Sequence, residues 1–493
     1  MKAFTEPLLS LAGFEEMTKT AEKSSGLISV TGCIDAQKSQ MIYAFGGHRK
    51  NKLIVTFGEQ KAKELYDEYS FFDKEVVYYP SKDVLFYQSD IRGNLLTAER
   101  IRALKAIREQ ERVTLVTTFD ALMNTMAPIE KMWENVLTLE QGQLLDLKEI
   151  QAALIRMGYE KEYQVQTMGQ FSVRGGILDV FPLTEENPIR IELWGDEIDT
   201  IRYFDCESQK SIENIDRVSI YPAAELVLSD EEKAGGIEKL KAEAKRVSDK
   251  LRKQMKTEEA HRVSVMADEL TEEWGELSMY AGMDAFLSYF FDERVGLLDY
   301  FKPSDSLIFF DELTRCTEQG KLTETEFSES MKQRLAMGYI LPGQMNGLFT
   351  EKEIVAKLEK YSCIALGALD NKANGLHQLG SYGIHCQSVS PYNNSFELLI
   401  KDLKRYKKNG YRVILLSGSR TRAKRLSEDI TDQGITCFYT ENYDHELFEG
   451  QIMVCYGKVR RGFEYPILKF AVITESDIFG AQQKKKKRHR TYE

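Results

Sequence analysis

The stretch Gly169 to Pro182, GQFSVRGGILDVFP, decides how the middle of this chain folds. Phe171 and Val173 alternate with Ser172 and Arg174, and Gly175-Gly176 supplies the backbone freedom of a tight turn. Ile177, Leu178, Val180 and Phe181 then resume an apolar run that Pro182 closes. The pattern is strand, turn, strand. Arg174 is the odd residue, a long cation beside a rigid turn that a hydrophobic hairpin does not need. Two readings of it stand: a solvated arginine at a hairpin end, or an anchor that presents charge to a partner.

The same alternation extends to both sides. After the amphipathic LKEIQAALIRMGYE come YQVQTMGQFSVRGGILDVFP and IRIELWGDEIDTIRYFD, short strands with turns at Gly175-Gly176 and Gly195-Asp196. This predicts a small α/β domain rich in antiparallel strands, residues 131–222, inserted into a larger unit.

The larger unit starts with Leu27-Ile28-Ser29-Val30, a short buried strand that runs into the helical TGCIDAQKSQMIYAF. A strand, a loop and a helix in that order are the setting of a phosphate-binding loop, G-x-x-x-x-G-K-[ST]. Gly32, Lys38 and Ser39 fit, but Gln37 replaces the second glycine, and a side chain there obstructs the backbone curl around a phosphate. The loop reads as a relic that does not bind nucleotide productively, the alternative being that Lys38 is a surface lysine. LIVTF, VVYYP and VTLVTTF are further strands separated by helices, which implies a parallel sheet with right-handed crossovers. Residues 1–130 are therefore expected to form the first part of a nucleotide-hydrolase-like lobe.

After residue 222 the chain turns helical and charged. Ile237, Leu240, Val247, Leu251 and Met255 recur as one packing stripe, and the charges between them form a solvated face. Ser306-LIFF-Asp311-Glu312 reads as a buried strand ending in two carboxylates. In hydrolase lobes such a pair holds Mg²⁺ and orients water, although a strand followed by two acids is also a two-letter coincidence. Residues 223–360 are assigned to the second part of the lobe and residues 361–480 to a second, smaller α/β domain. There YRVILLSGS and the basic RTRAKRLSEDITDQG resemble the start of a helicase second lobe without its arginine motif. Residues 481–493, with QQKKKKRHR, read as a basic linker, with nucleic-acid contact as the alternative.

The 493 residues suit three or four domains, and a net charge of −11 argues against the whole chain coating nucleic acid. Seven scattered cysteines with no CxxC point to a reducing compartment and no metal. The N-terminus lacks the apolar core of a signal peptide, and no run approaches the roughly 18–20 apolar residues of a membrane span. The expected location is the cytoplasm.

With these pieces placed, the chain resembles the N-terminal part of the bacterial transcription-repair coupling factors (Mfd), a family of DNA translocases. The resemblance is most specific from Leu154 to Glu225, through MGYEKEYQVQTMGQFSVRGGILDVFP, PIRIELWGDEIDTIRYFD and SQKSIENIDRVSIYPAAE, a pattern shared with the damage-loading subunit UvrB. It implies a degenerate RecA-like, UvrB-like lobe whose inserted domain binds UvrA. Arg174, Arg190 and Trp194 are carried over as the contact residues, Trp194 standing where the family often has phenylalanine. Two arginines and an aromatic on adjacent strands would make a compact hot spot.

The tyrosine-rich hairpin of UvrB is missing after Tyr78-Tyr79-Pro80, where SKDVLFYQSD follows. The resemblance further implies that RNA polymerase and double-stranded DNA are engaged by a part that this chain lacks. That part carries the motor with its ATP and Mg²⁺, to which the present half docks in the full-length protein. The chain is accordingly expected to hold no cofactor of its own and to have no ATPase. It reads as the recruitment and regulatory half of the coupling factor. The alternative is an ATP-hydrolysing UvrB-like helicase, or a DNA-binding subunit of excision repair.

Overall fold

The computed structural model describes residues 1–46, 49–83, 91–276 and 282–480. Most of SKDVLFYQSD and the basic run Gln482 to Arg490 lie outside them.

Seven parallel strands form the first sheet, in the order Gln378–Gly383, Gly26–Thr31, Ser362–Leu366, Ser306–Asp311, Asn51–Thr56, Val113–Thr118 and Val77–Tyr79. Ser306–Asp311 is buried along its whole length, which is why its sequence is a continuous apolar run rather than an alternation. Alternate residues feed two cores: Ile28, Ile54, Phe309 and Ile364 on one face, and Leu27, Leu53, Ile308, Phe310 and Cys363 on the other.

This sheet corrects one expected boundary. Ser362–Leu366 and Gln378–Gly383, assigned to the last domain, flank Gly26–Thr31 instead, and the chain enters the last sheet only at Gln387. Strand character is a local property, but sheet membership depends on long-range pairing that a single sequence does not display.

The inserted unit is the expected antiparallel-rich domain. Its sheet runs Ser211–Ile215, Glu197–Phe204, Ile189–Trp194, Ile177–Val180, Gln170–Arg174 and Glu160–Lys161, with Leu137–Glu140 pairing separately with Arg217–Ile220. Gly175 takes φ +60° in the hairpin turn, a conformation that favours glycine. Phe171, Leu178, Val180, Ile189 and Ile191 make the inner core.

A hairpin of two long helices, Asp230–Lys253 and Thr257–Glu276, follows the insert. Leu240 and Leu251 pack in it as expected, whereas Met255 leaves the stripe: it sits in the turn at φ 64° and is 87% exposed.

The last sheet, Gln387–Ser388, Phe463–Tyr465, Phe470–Thr474, Arg412–Ser417, Ile452–Tyr456 and Phe438–Tyr439, is the second α/β lobe. One apolar cluster joins it to the first, since Ile414, Leu416, Met453 and Phe470 share a core with Phe4, Phe45 and Leu65. Tyr465 also donates to Gln40 Oε1 at 3.0 Å, and Arg460 reaches Glu64 at 2.8 Å. No helix among the described residues is long and apolar enough to cross a membrane.

Candidate functional site

Two constellations stand out. At the first, the parallel sheet brings the loop after Gly26–Thr31 beside the end of Ser306–Asp311, so that Lys38 meets Asp311 and Glu312. Lys38 Nζ lies 2.5 Å from Asp311 Oδ1, 3.0 Å from Glu312 Oε1 and 3.2 Å from Asp35 Oδ1. Thr56 Oγ1 donates to the other Asp311 oxygen at 2.8 Å. Burial alone would lower the Lys38 pKa, but Asp311 above all, then Glu312 and Asp35, hold it above the ordinary lysine value. The lysine is a fixed internal cation, which excludes the surface-lysine reading.

Three of the loop amides are committed as well. Gly32 N–H donates to the Ala368 carbonyl, Cys33 N–H to that of Gly367, and Gln37 N–H to that of Ile34. A Cβ on Gly32 (φ +79°) would fall 2.1 Å from the Ile384 carbonyl oxygen, so close packing onto that carbonyl by itself requires the glycine. Gln37 is buried, its Nε2 facing Met41 Sδ at 3.8 Å, and among the described residues Gln37 Oε1 and Ser39 Oγ have no hydrogen-bond partner. A phosphate loop works by offering free N–H groups and an unneutralised lysine to an anion. Here the amides of Gly32, Cys33 and Gln37 are committed to carbonyls and the lysine is neutralised by its carboxylates, an arrangement that suits an internal ion pair better than a nucleotide with its magnesium.

The second constellation lies on the outer face of the inserted sheet. Ser172, Asp179, Arg190 and Arg202 form one row across four strands. Arg190 forks onto Asp179 with two 2.8 Å bonds, and Arg174 adds a third at 3.1 Å. Asp179 is only 1% exposed under them, and the Arg190 guanidinium also stacks 4.2 Å over Phe204. The hydrogen bonds to Asp179 raise the already high Arg190 pKa.

Arg174 and Arg190 are therefore brought together, but by a carboxylate that the sequence reading missed. Trp194 shares the face and stands apart, four residues along its strand from Arg190, about 14 Å at strand spacing. It is 84% exposed and borders a cleft of about 620 Å³ whose walls carry Glu140, Glu197, Asp199 and Asp216 against one cation, Arg217, which pairs with Glu140 at 3.1 Å. The arrangement is an elongated surface with a cationic and an acidic end rather than a compact hot spot.

This domain has a match among known families: residues 137–226 fit the UvrB interaction domain. Along most of its length the chain is also similar to curated bacterial proteins. The chain resembles the transcription-repair-coupling factors. That of Bacillus subtilis (strain 168) is 28% identical over 438 residues, 88% of this chain and 36% of the relative. The coupling factor of Staphylococcus haemolyticus is 26% identical over 94% of this chain and 39% of its own length, and that of Staphylococcus aureus (strain MRSA252) 26% identical over 96% and 40%. The chain thus spans well under half the length of these coupling factors. Arg174, Arg190 and Trp194 all fall inside the matched domain.

A third polar cluster escaped the sequence reading. Glu225, at the end of the matched domain, is clasped by Lys82 and by Arg100, whose Nε lies 2.8 Å from Glu225 Oε1, and Lys82 also reaches Asp284 at 2.6 Å. Burial alone would raise the Glu225 carboxyl, but Arg100 and Lys82 bring it down to about 2. Arg100 further lies 4.3 Å over the Tyr79 ring. The clasp fixes the base of the insert to the first lobe.

Proposed function

We propose that this chain is the recruitment half of a transcription-repair coupling system, docking UvrA on the outer face of its inserted sheet. The observation that carries the reading is the placement of Arg174, part exposed above buried Asp179, and of exposed Trp194 on one face of the UvrB interaction domain. Arginine and tryptophan are the side chains that concentrate binding energy at interfaces, and the acidic cleft beside Trp194 adds charge selectivity. In this reading the first lobe is a scaffold that binds no nucleotide, a view supported by the internal ion pairs of Lys38 and by the committed amides of Gly32, Cys33 and Gln37. Engagement of RNA polymerase and DNA, and the ATP-driven motor, belong to the remaining length that the coupling-factor relatives have, and the present half restrains that motor by docking to it.

The deciding experiment is a titration of purified UvrA against the parent chain and against Arg174→Ala and Trp194→Ala. The reading expects each variant to weaken binding roughly thirtyfold or more with the fold intact. Undiminished affinity in the double variant would overturn it.

A further inference from the structure

The helical hairpin of Asp230–Lys253 and Thr257–Glu276 belongs to neither site, and its far end is cationic. One side of the first helix is consumed by packing: Leu240, Ala244 and Leu251 are buried with Ala260, Val263 and Ala267, and Ser248 Oγ donates to the Ala260 carbonyl at 3.1 Å. The other side exposes Lys245, Arg246, Lys250, Arg252 and Lys253, and exposed Lys256 follows in the turn. Between residues 245 and 256 the only carboxylate is Asp249, in a chain whose net charge is −11. Glu258 and Glu259 follow in the first turn of the second helix.

These cations are barely neutralised. Arg246 and Arg252 reach Glu243 and Asp249 of their own helix only at 3.7 Å, and among the described residues no ion pair holds Lys245, Lys250, Lys253 or Lys256. Arg246, Lys250 and Lys253 follow the i, i+4, i+7 spacing of one helix face and span about 10 Å. A nucleic-acid duplex presents one phosphate per about 3.4 Å of axis on each strand, so such a stripe faces about three phosphates. Exposed Tyr339 lies beside the same end, accepting from Arg262 Nη1 at 3.1 Å, while Gly338 packs against Glu259.

We propose that this hairpin tip is a sequence-independent contact for the phosphodiester backbone of a nucleic-acid duplex. Lysines act there as point charges that position a backbone without reading bases. A lipid surface fits less well, because the apolar side of the hairpin is buried and Met255 is a single exposed apolar residue at the apex.

The test is fluorescence anisotropy of a labelled 30-base-pair DNA duplex between 50 and 200 mM salt. It uses the full chain, Lys250→Gln/Lys253→Gln, and a second variant with Lys484, Lys485, Lys486 and Lys487 changed to Gln. The hairpin variant is expected to bind about tenfold more weakly at low salt. Its slope of log affinity against log salt should shrink by about 2, whether or not the terminal lysines are present. A loss confined to the terminal variant would overturn the proposal. So would a preference of the parent for phosphatidylserine vesicles over the duplex.

Discussion

Lys38 Nζ sits 2.5 Å from Asp311 Oδ1, although the two are 273 positions apart in the chain, and each side chain is 1% exposed. A buried pair of this kind is costly to break because the surviving charge has no water to turn to. Lys38→Ala is therefore expected to destabilise the chain by about 3–5 kcal/mol in denaturant unfolding. Lys38→Met combined with Asp311→Asn should recover most of that loss. Comparable stability of the parent and Lys38→Ala would show that the pair is not the fixed internal counter-ion described.

The committed loop amides lead to a separate expectation. Gln37→Gly restores the glycine of a phosphate loop but leaves Gly32 N–H on Ala368, Cys33 N–H on Gly367 and Lys38 on its carboxylates. Calorimetric titration with Mg-ATP should detect no saturable binding by this variant up to millimolar nucleotide. Micromolar affinity would contradict the assignment of the loop as structurally spent.

The three docking residues should separate in their effects. Arg190 is the bidentate partner of buried Asp179 and stacks on Phe204, so Arg190→Ala should cost about 2–4 kcal/mol of stability as well as binding. Arg174 contributes one longer bond and is 38% exposed, and Trp194 is almost free of the fold. Their alanine variants should stay within about 1 kcal/mol of the parent in stability. A plain contact hot spot would instead have both arginines act on binding alone. Melting curves run beside the UvrA titrations check it.

How much of this was legible in the sequence follows from the range of each interaction. The hairpin around Gly175 and the apolar strand ending at Asp311 are local patterns, and both form as read. Lys38 and Asp311-Glu312 were each recognisable as parts of a nucleotide site, and the sheet does bring them together. That they neutralise each other depends on the lateral order of parallel strands, which periodicity does not encode. Asp35 was closer to hand, three residues before Lys38 on one helix, a spacing that places acid and lysine side by side. Asp179 lies inside the hairpin stretch itself, but a lone acid in a strand reads as solvent-facing. It takes the cross-strand register with Arg190 to turn it into a buried counter-ion. Glu225 with Lys82 and Arg100 joins segments more than a hundred residues apart, and no local signal marks it.

Glu225 gives the fold an acid-sensitive point. Its carboxyl titrates at about 2 in the folded chain against an ordinary 4.5, so the unfolded chain takes up its proton first as the pH falls. The stabilisation is complete above about pH 4.5 and is lost progressively as the pH drops toward 2. Glu225→Gln should lower stability at neutral pH and flatten the acid limb in that window. Parallel acid-unfolding curves for parent and variant would rule the clasp out as a source of acid lability.

Glu68 predicts the opposite sign at the contact between the two lobes. Burial pushes its carboxyl up to about 7, against the pull of Lys61 and of Arg460, which comes from the second lobe and pairs with Glu64. Between about 4.5 and 7 the folded chain holds a proton that the unfolded chain has released, so this group makes stability fall as the pH rises through that window. Glu68→Gln should remove that part of the decline, most visibly in melting temperatures compared at pH 5 and pH 7.5. Arg460→Ala, by withdrawing a cation that favours the charged form, should push the Glu68 carboxyl still higher and steepen the decline. If the three proteins instead lose stability in parallel across the window, Glu68 is solvated and the lobe contact there is looser than the shared core and the Arg460–Glu64 pair indicate.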